Sequence, residues 1–553
     1  MRVTTTTRYL LLGGAALAGV PGAGAQTALD RADPTIAARA LPRPSLEQPE
    51  RAQPTEVDAT SRAAAGATLT PPVRAVTVRG AAAVPDAAYA AAIAPVIGRA
   101  LDRAALATLA GQVAGAVRAR GYPFATAAVA AQPMRDGVLA VDVELGRIDA
   151  VRVIGARSEA ADALLVRALT GRGAVTQAML ERALLLVGDL PGVRVTETRY
   201  VRQEGFGILL VTIAGDRASA YAQLDNRGSD EVGPVRSTLL ASLRGLAGDG
   251  DELSLVVAQT PLQPSEFAFL RARYAAPVDA AGSVLAVAGS IARSNPGAAL
   301  APLDVVGRSG DLSVSYTRAL VRTRARSLWG SAELRAVVVE QTLRGARLRR
   351  DRLATATATL SGQATLAGGA LRGELAGVAG LPLAGVSRAG DALLSRADGD
   401  ARFVAATAQM DYTRRLAGPV SAVLAGAAQL ASRPLLATAE IGLGGPGFAR
   451  GYDYAERTGD RGVMGSAELR ADAGRIWPGV IDRAQGYAFA DAGHVGNLRG
   501  GAGGGTLASA GAGLRAGTGR LDGMVEIAFP LDADRFDTGD RRPRISLRLS
   551  RIF

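Results

Sequence analysis

The segment Gly442–Gly447, GLGGPG, has the glycine spacing G-x-G-x-x-G of loops that cradle a pyrophosphate at a helix N-terminus. Glu468 follows at a distance suited to a ribose contact. That chemistry needs a helix opening directly after the glycines, inside a β-α-β unit. Here Pro446 is followed by the loop-like run ARGYDYAERTGDRG between strand patterns, so nucleotide binding is not expected. Other chemistries lack their parts. There is no cysteine and one histidine, His494, which reads as a strand-end or loop residue rather than a ligand. No G-x-S-x-G is present. Glu440, Glu468 and Asp491 could be paired for glycoside hydrolysis, but that chemistry turns on the carboxylate separation, which the sequence does not set. The expectation is therefore no enzyme, no cofactor and no metal site. Arg450 offers a different chemistry, because its guanidinium is a rigid fork that a carboxylate accepts bidentately.

The elements that must position these residues follow from composition and periodicity. The chain has 553 residues and a formal net charge of +12, and every cationic side chain that carries it is Arg. Those arginines are interspersed with acids rather than grouped in basic runs, so nucleic acid is not an expected partner. At the N-terminus Arg2 and Arg8 precede the apolar run YLLLGGAALAGV, and AGA at 23–25 supplies small residues, which together read as a signal peptide over 1–25. Residues 26–72 are rich in proline and read as a linker, with one short helix around Pro34–Leu41.

Two units then repeat one plan, β-α-α-β-β, over 73–147 and 148–215. VTVRG at Val76–Gly80 recurs as VRVIG at Val151–Gly155. In the first unit a helix is expected around Tyr89–Ile97. A clearer one starts at an Asp102 cap, with Leu106, Leu109, Val113 and Val117 at helical spacing and Gly121 at its end. From 216 to 553 the texture is strands alone. DLSVSYTR sets Leu312, Val314 and Tyr316 against Ser313, Ser315 and Thr317, and GMVEIAFP sets Val525, Ile527 and Phe529 against Glu526 and Ala528. Such alternation continues for about 337 residues, and at about 21 residues per strand and turn it predicts about 16 strands of a transmembrane antiparallel barrel. Aromatic residues are 4%, so its aromatic girdles must be thin.

In this order the chain resembles the two-partner secretion transporters of the haemolysin secretion/activation family, within the superfamily of POTRA-bearing outer-membrane barrels. The resemblance rests on LLLVGDLPGVRV, AQLDNRGSDEVGPVR, LATAEIGLGGPGFARGYDYAERTGDRGVMGSAELR, YAFADAG and the terminal RISLRLSRIF. It implies α+β periplasmic POTRA-like domains followed by the barrel in a Gram-negative outer membrane. It also implies a loop folded back into the lumen with Arg450, Gly451 and Tyr452 at its tip, Ala449 standing where a β-branched residue is usual. The matching wall motifs are Gly465-x-x-Glu468 and Phe489-x-Asp491-x-Gly493. Parity puts Phe489 with Asp491, and Glu468 with Arg470, on one face each, so Arg450 is expected to clasp Asp491.

The implied function is capture of an unfolded partner, a large β-solenoid exoprotein, and its passage through the pore, driven by folding outside. The physically available capture mode is strand addition to an exposed edge, expected at the second strand of each unit around Thr126, Val129, Val193 and Val195. The helix within 27–41 would plug the pore. Phe553, Leu549, Leu547 and Ile545 would be the barrel-assembly signal, read by the assembly machinery, with Arg551 interrupting its apolar face. A monomer in outer-membrane lipid is expected. The alternative is a factor of the same superfamily that assembles other outer-membrane barrels; those usually carry three or more POTRA units, and two are counted here.

Overall fold

The computed structural model describes residues 29–30, 33–39, 41, 56–58, 62–63 and 69–553. The expected signal peptide at 1–25 lies outside them, as does most of the linker. The described linker residues include a helix, Pro34–Arg39, and two short strands, β1 (Glu56–Asp58) and β2 (Arg62–Ala63).

The first unit consists of β3 (Ala75–Arg79), a long helix Arg103–Ala119, β4 (Thr126–Val129) and β5 (Val138–Glu144). The long helix forms where its apolar spacing requires, and Leu106, Leu109, Val113 and Val117 are buried against the sheet. The Asp102 side chain accepts from Ala105 N at 2.7 Å, capping an orphan donor at its start. The helix expected at Tyr89–Ile97 is broken instead into one α-turn, Ala90–Ile93, between 3-10 turns. Pro95 removes the donor that a continuous helix would need there. The second unit has β6 (Ala150–Gly155), helices Glu159–Leu169 and Gln177–Gly188, β7 (Val193–Gln203) and β8 (Phe206–Gly215). Phe124 and Tyr200 stack across the joint between the units, ring centres 4.0 Å apart. Arg202 reaches back to Glu144 and donates to the Thr126 hydroxyl at 2.9 Å.

Both sheets gain a fourth strand from the linker. Their orders are β2-β4-β5-β3 and β1-β7-β8-β6, and each added strand runs parallel to its neighbour.

Sixteen strands, from Ala218–Asp225 to Arg544–Ile552, then close into one antiparallel barrel. Leu312, Val314 and Tyr316, Val525, Ile527 and Phe529, and Ile545, Leu547 and Leu549 all lie exposed on its outer face, as the alternation requires. No described helix is long and apolar enough to cross a membrane. The second unit docks against the turns at one end of the barrel. Asp189 accepts two hydrogen bonds from Arg322, and Arg182 donates to Ala319 O at 3.0 Å. That end therefore faces the two units, and the long loops 381–403, 432–460 and 497–504 lie at the opposite end.

Candidate functional site

The loop 432–460 turns back into the barrel through a short hairpin, Ile441–Leu443 paired with Arg457–Gly459. Gly444 and Gly445 have φ of 111° and 99°, and a Cβ on Gly444 would sit 2.1 Å from Asp453 O. The G-x-G-x-x-G glycines thus serve a tight reversal that other residues do not enter freely.

Arg450 at the tip is buried, and its fork is met from three strands. It donates to Asp491 through Nε at 2.9 Å and Nη2 at 3.0 Å, and to Glu468 through Nη1 at 2.6 Å. Its backbone N–H also reaches Asp491 Oδ2 at 3.2 Å, Ser466 Oγ accepts at 3.1 Å, and Glu526 lies 3.5 Å away. The guanidinium stacks 3.5 Å over the Phe489 ring. Burial works against its charge, but Asp491 and Glu468 outweigh that and hold the Arg450 pKa above its ordinary value. The strand parity predicted from sequence places every one of these wall residues: Glu468 on Arg461–Gly474, Phe489 and Asp491 on Arg483–Gly496.

The remaining tip residues are fixed too. Tyr452 is 0% exposed and its hydroxyl donates to Ala533 O at 2.9 Å, in the loop 531–543. A Cβ on Gly451 would meet Pro530 N at 3.1 Å, so the tip rides close on the wall. At Gly493 a Cβ would lie 2.6 Å from Leu443, which explains glycine at that position of the wall motif.

Sequence reasoning missed the outer shell of this lock. Glu526 accepts from Tyr487 at 2.9 Å and pairs with Arg227 at 2.7 Å. Arg470 and Arg515 both bind Glu468 Oε1, at 2.7 and 3.0 Å. The inward parity of Glu526 was visible in GMVEIAFP; what was not visible was which strand it would face.

The helix Pro34–Arg39 lies inside the barrel, where its residues Thr35 and Arg39 touch a turn of the same returning loop. Thr35 Oγ1 is 3.1 Å from Thr438 Oγ1, and Arg39 donates to Glu440 O at 3.0 Å. Just before it, Asp30 pairs with Arg349 and Leu29 O accepts from Gln341 at 2.8 Å, both barrel residues. Burial pushes the Asp30 carboxyl up to about 6, partly offset by Arg349, and it pushes Glu440 up to about 7. The helix is thus held by single side-chain hydrogen bonds, not by the barrel ladder. A cavity of about 640 Å³ beside it is lined by polar residues that include Gln223, Thr407, Gln409 and Gln429.

The four residues expected at the capture edges lie on β4 and β7, the strands next to the linker strands β2 and β1. Thr126 is in the joint, bonded to Arg202, and Val129 is in the first unit's core. Val193 and Val195 pack against the second unit's core. None presents an apolar side chain to an open edge, because the inward face of each strand is claimed by its own helices. The backbone edges are the outer ones, but β2 occupies the edge at Ala128–Val129 and β1 the edge at Arg199–Val201. Of the residues expected to form the assembly signal, Ile545, Leu547 and Leu549 face outward, and Phe553 lies exposed just past the strand end with Arg551 stacked 4.9 Å over its ring. His494 sits on its strand beside Thr506, 3.0 Å away, and no cluster of potential metal ligands occurs among the described residues.

Comparison with known proteins places this geometry. A profile of the haemolysin secretion/activation proteins ShlB/FhaC/HecB matches residues 207–516, and one of ShlB-type POTRA domains matches 72–146. No curated protein sequence matches the chain. Among solved structures, CdiB from Escherichia coli is similar at a TM-score of 0.69 and 17% identity, over 99% of this chain and 100% of its own. CdiB from Acinetobacter baumannii is similar at 0.62 and 15%, over 96% and 99%. BamA from Haemophilus ducreyi lacking POTRA domains 1–3 is similar at 0.54 and 12%, over 88% and 100%. At these identities the structures speak for the fold, and the profile, spanning more than half of the sequence, speaks for descent. The chain belongs to the haemolysin secretion/activation protein family: an outer-membrane translocation pore of sixteen strands with POTRA units in the periplasm.

Proposed function

We propose that the chain captures one exported partner protein in extended form on its periplasmic units and passes it through the barrel lumen, without catalysing any reaction. The observation that carries this reading is how the lumen is filled. A returning loop and a helix occupy it, and the residue contacts that hold them there are side-chain bonds and packing, which can be exchanged without breaking a barrel strand. Capture by strand addition is supported at β7 and β4, where the chain's own β1 and β2 already pair in parallel. An extended partner segment arriving there takes over those backbone bonds and frees the linker that leads to the helix.

One observation favours a second reading, assembly of other barrels. The seam between Ala218–Asp225 and Arg544–Ile552 has five residue pairs, against eight or more at the other seams. Deleting the gene separates the two readings. The secretion reading expects a large protein to vanish from the culture medium while other outer-membrane barrels assemble at wild-type levels. An unchanged medium with poorly assembled barrels would sink it.

A further inference from the structure

Beyond the lock at Arg450, the extracellular end holds a second buried arginine that the lock does not use. Arg396, in the loop 381–403, has a side chain 4% exposed. Its Nη1 donates to Glu440 at 3.1 Å, Asp460 at 2.9 Å and Asn497 at 3.1 Å, while Nε donates to Asp398 at 2.8 Å and Nη2 to Leu498 O. Three loops therefore meet on one guanidinium: 381–403, the returning loop 432–460, and 497–504. The glycine run after Arg499 gives way to it. A Cβ on Gly501 would lie 2.4 Å from Arg396 Nη2, and from Gly505 onward the run is strand.

The partners of Arg396 also form the seat of the helix. Asp460, 0% exposed, accepts Leu435 N and Leu498 N at 2.6 Å each, tying the start of the turn region to the loop 497–504. Ser395, next to Arg396, accepts Ala437 N at 3.0 Å. The second anchor opens the 3-10 turn Ala437–Ala439, whose Thr438 and following Glu440 are the residues touched by Thr35 and Arg39. Arg396 itself touches no residue of the helix in these contacts.

We propose that Arg396 is a positioning residue for the gate: it holds the 435–440 turn in the shape that seats the helix Pro34–Arg39, coupling closure of the lumen to the three extracellular loops. The proposal rests on reading the chain as a translocation pore, but its test needs no partner protein. Removing the guanidinium leaves Glu440 and Asp460 buried without their shared cation, so the turn loses its shape and the helix its seat. Lysine, a single ammonium, cannot reach donors' positions spread over five acceptors.

The experiment is single-channel recording of the purified full chain in planar lipid bilayers, with heat-modifiable migration confirming a folded barrel. R396A is expected to raise the open fraction about tenfold or more over wild type, and R396K to fall between them. In a chain lacking residues 29–41, R396A is expected to add nothing, because the element it positions is gone. Wild-type closure of a folded R396A chain would overturn the proposal, and so would an equal rise in the helix-deleted chain, which would mark Arg396 as a loop brace only. If R396A does not fold, R39A cuts the same seat from the helix side and is expected to open the pore; R39A closing as wild type does would overturn the proposal. A failed secretion reading would appear in the culture medium and leave these currents unchanged.

Discussion

Arg450→Ala is expected to abolish most secretion while leaving a heat-modifiable, inserted barrel. The guanidinium neutralises Asp491 and Glu468 directly, with Glu526 close by, and Asp491 is 3% exposed. Deleting it strands those carboxylates in a shielded lumen, at a cost on the order of 3–5 kcal/mol. The stacking on Phe489 is lost with it, and the backbone bond from residue 450 to Asp491 weakens. The loop then has lost the contact that orients its tip, whereas the sixteen-strand ladder, built from backbone bonds, is untouched. Lysine restores a charge but not the fork, so Arg450→Lys is expected to recover part of the activity only. Secreted protein in the medium, normalised to folded barrel, measures both variants. Wild-type secretion by Arg450→Ala would show that the lock does no work in transport.

The second large effect is expected from tying the helix to its seat. Thr35 and Thr438 place their hydroxyls 3.1 Å apart, and the sequence contains no cysteine, so T35C/T438C forms a single new bridge. Under oxidising conditions the helix cannot leave, and secretion is expected to fall to background. Adding a reductant is expected to restore it within the same cells, because the bond is the one thing changed. Secretion that continues through a quantitatively bridged barrel would mean that the helix need not move for the partner to pass.

Much of this was legible in the sequence because strands write their faces into the residue order. Alternation around Asp491, Glu468 and Glu526 put each acid into the lumen before any fold was known, and the 75-residue echo of VTVRG in VRVIG marked the repeated unit. The placement of Arg450-Gly451-Tyr452 at a loop tip in the lumen followed from the family resemblance, not from any period. What stayed hidden has no period. Arg396 meets Glu440, Asp460 and Asn497 across 44 to 101 positions, through loops in which nothing fixes the pairing until the strands are in register. The strands β1 and β2 are three and two residues long in a proline-rich stretch, so they exist by virtue of the edge that receives them, not by their own pattern. In a unit of about 70 residues the inward sheet face is used by the helices, so the outer strands β4 and β7, which carry Thr126, Val129, Val193 and Val195, offer an extended segment their backbone edge alone.

The central claim is that an exported protein travels through this lumen. A photo-crosslinking amino acid placed at Thr357, a lumen-side position on the strand Ala346–Leu366 with a half-buried side chain, tests it in living cells. The account predicts a high-mass adduct between the barrel and one large exported protein, abundant during secretion and absent when T35C/T438C is bridged. Adducts formed only with precursors of other outer-membrane barrels would contradict it.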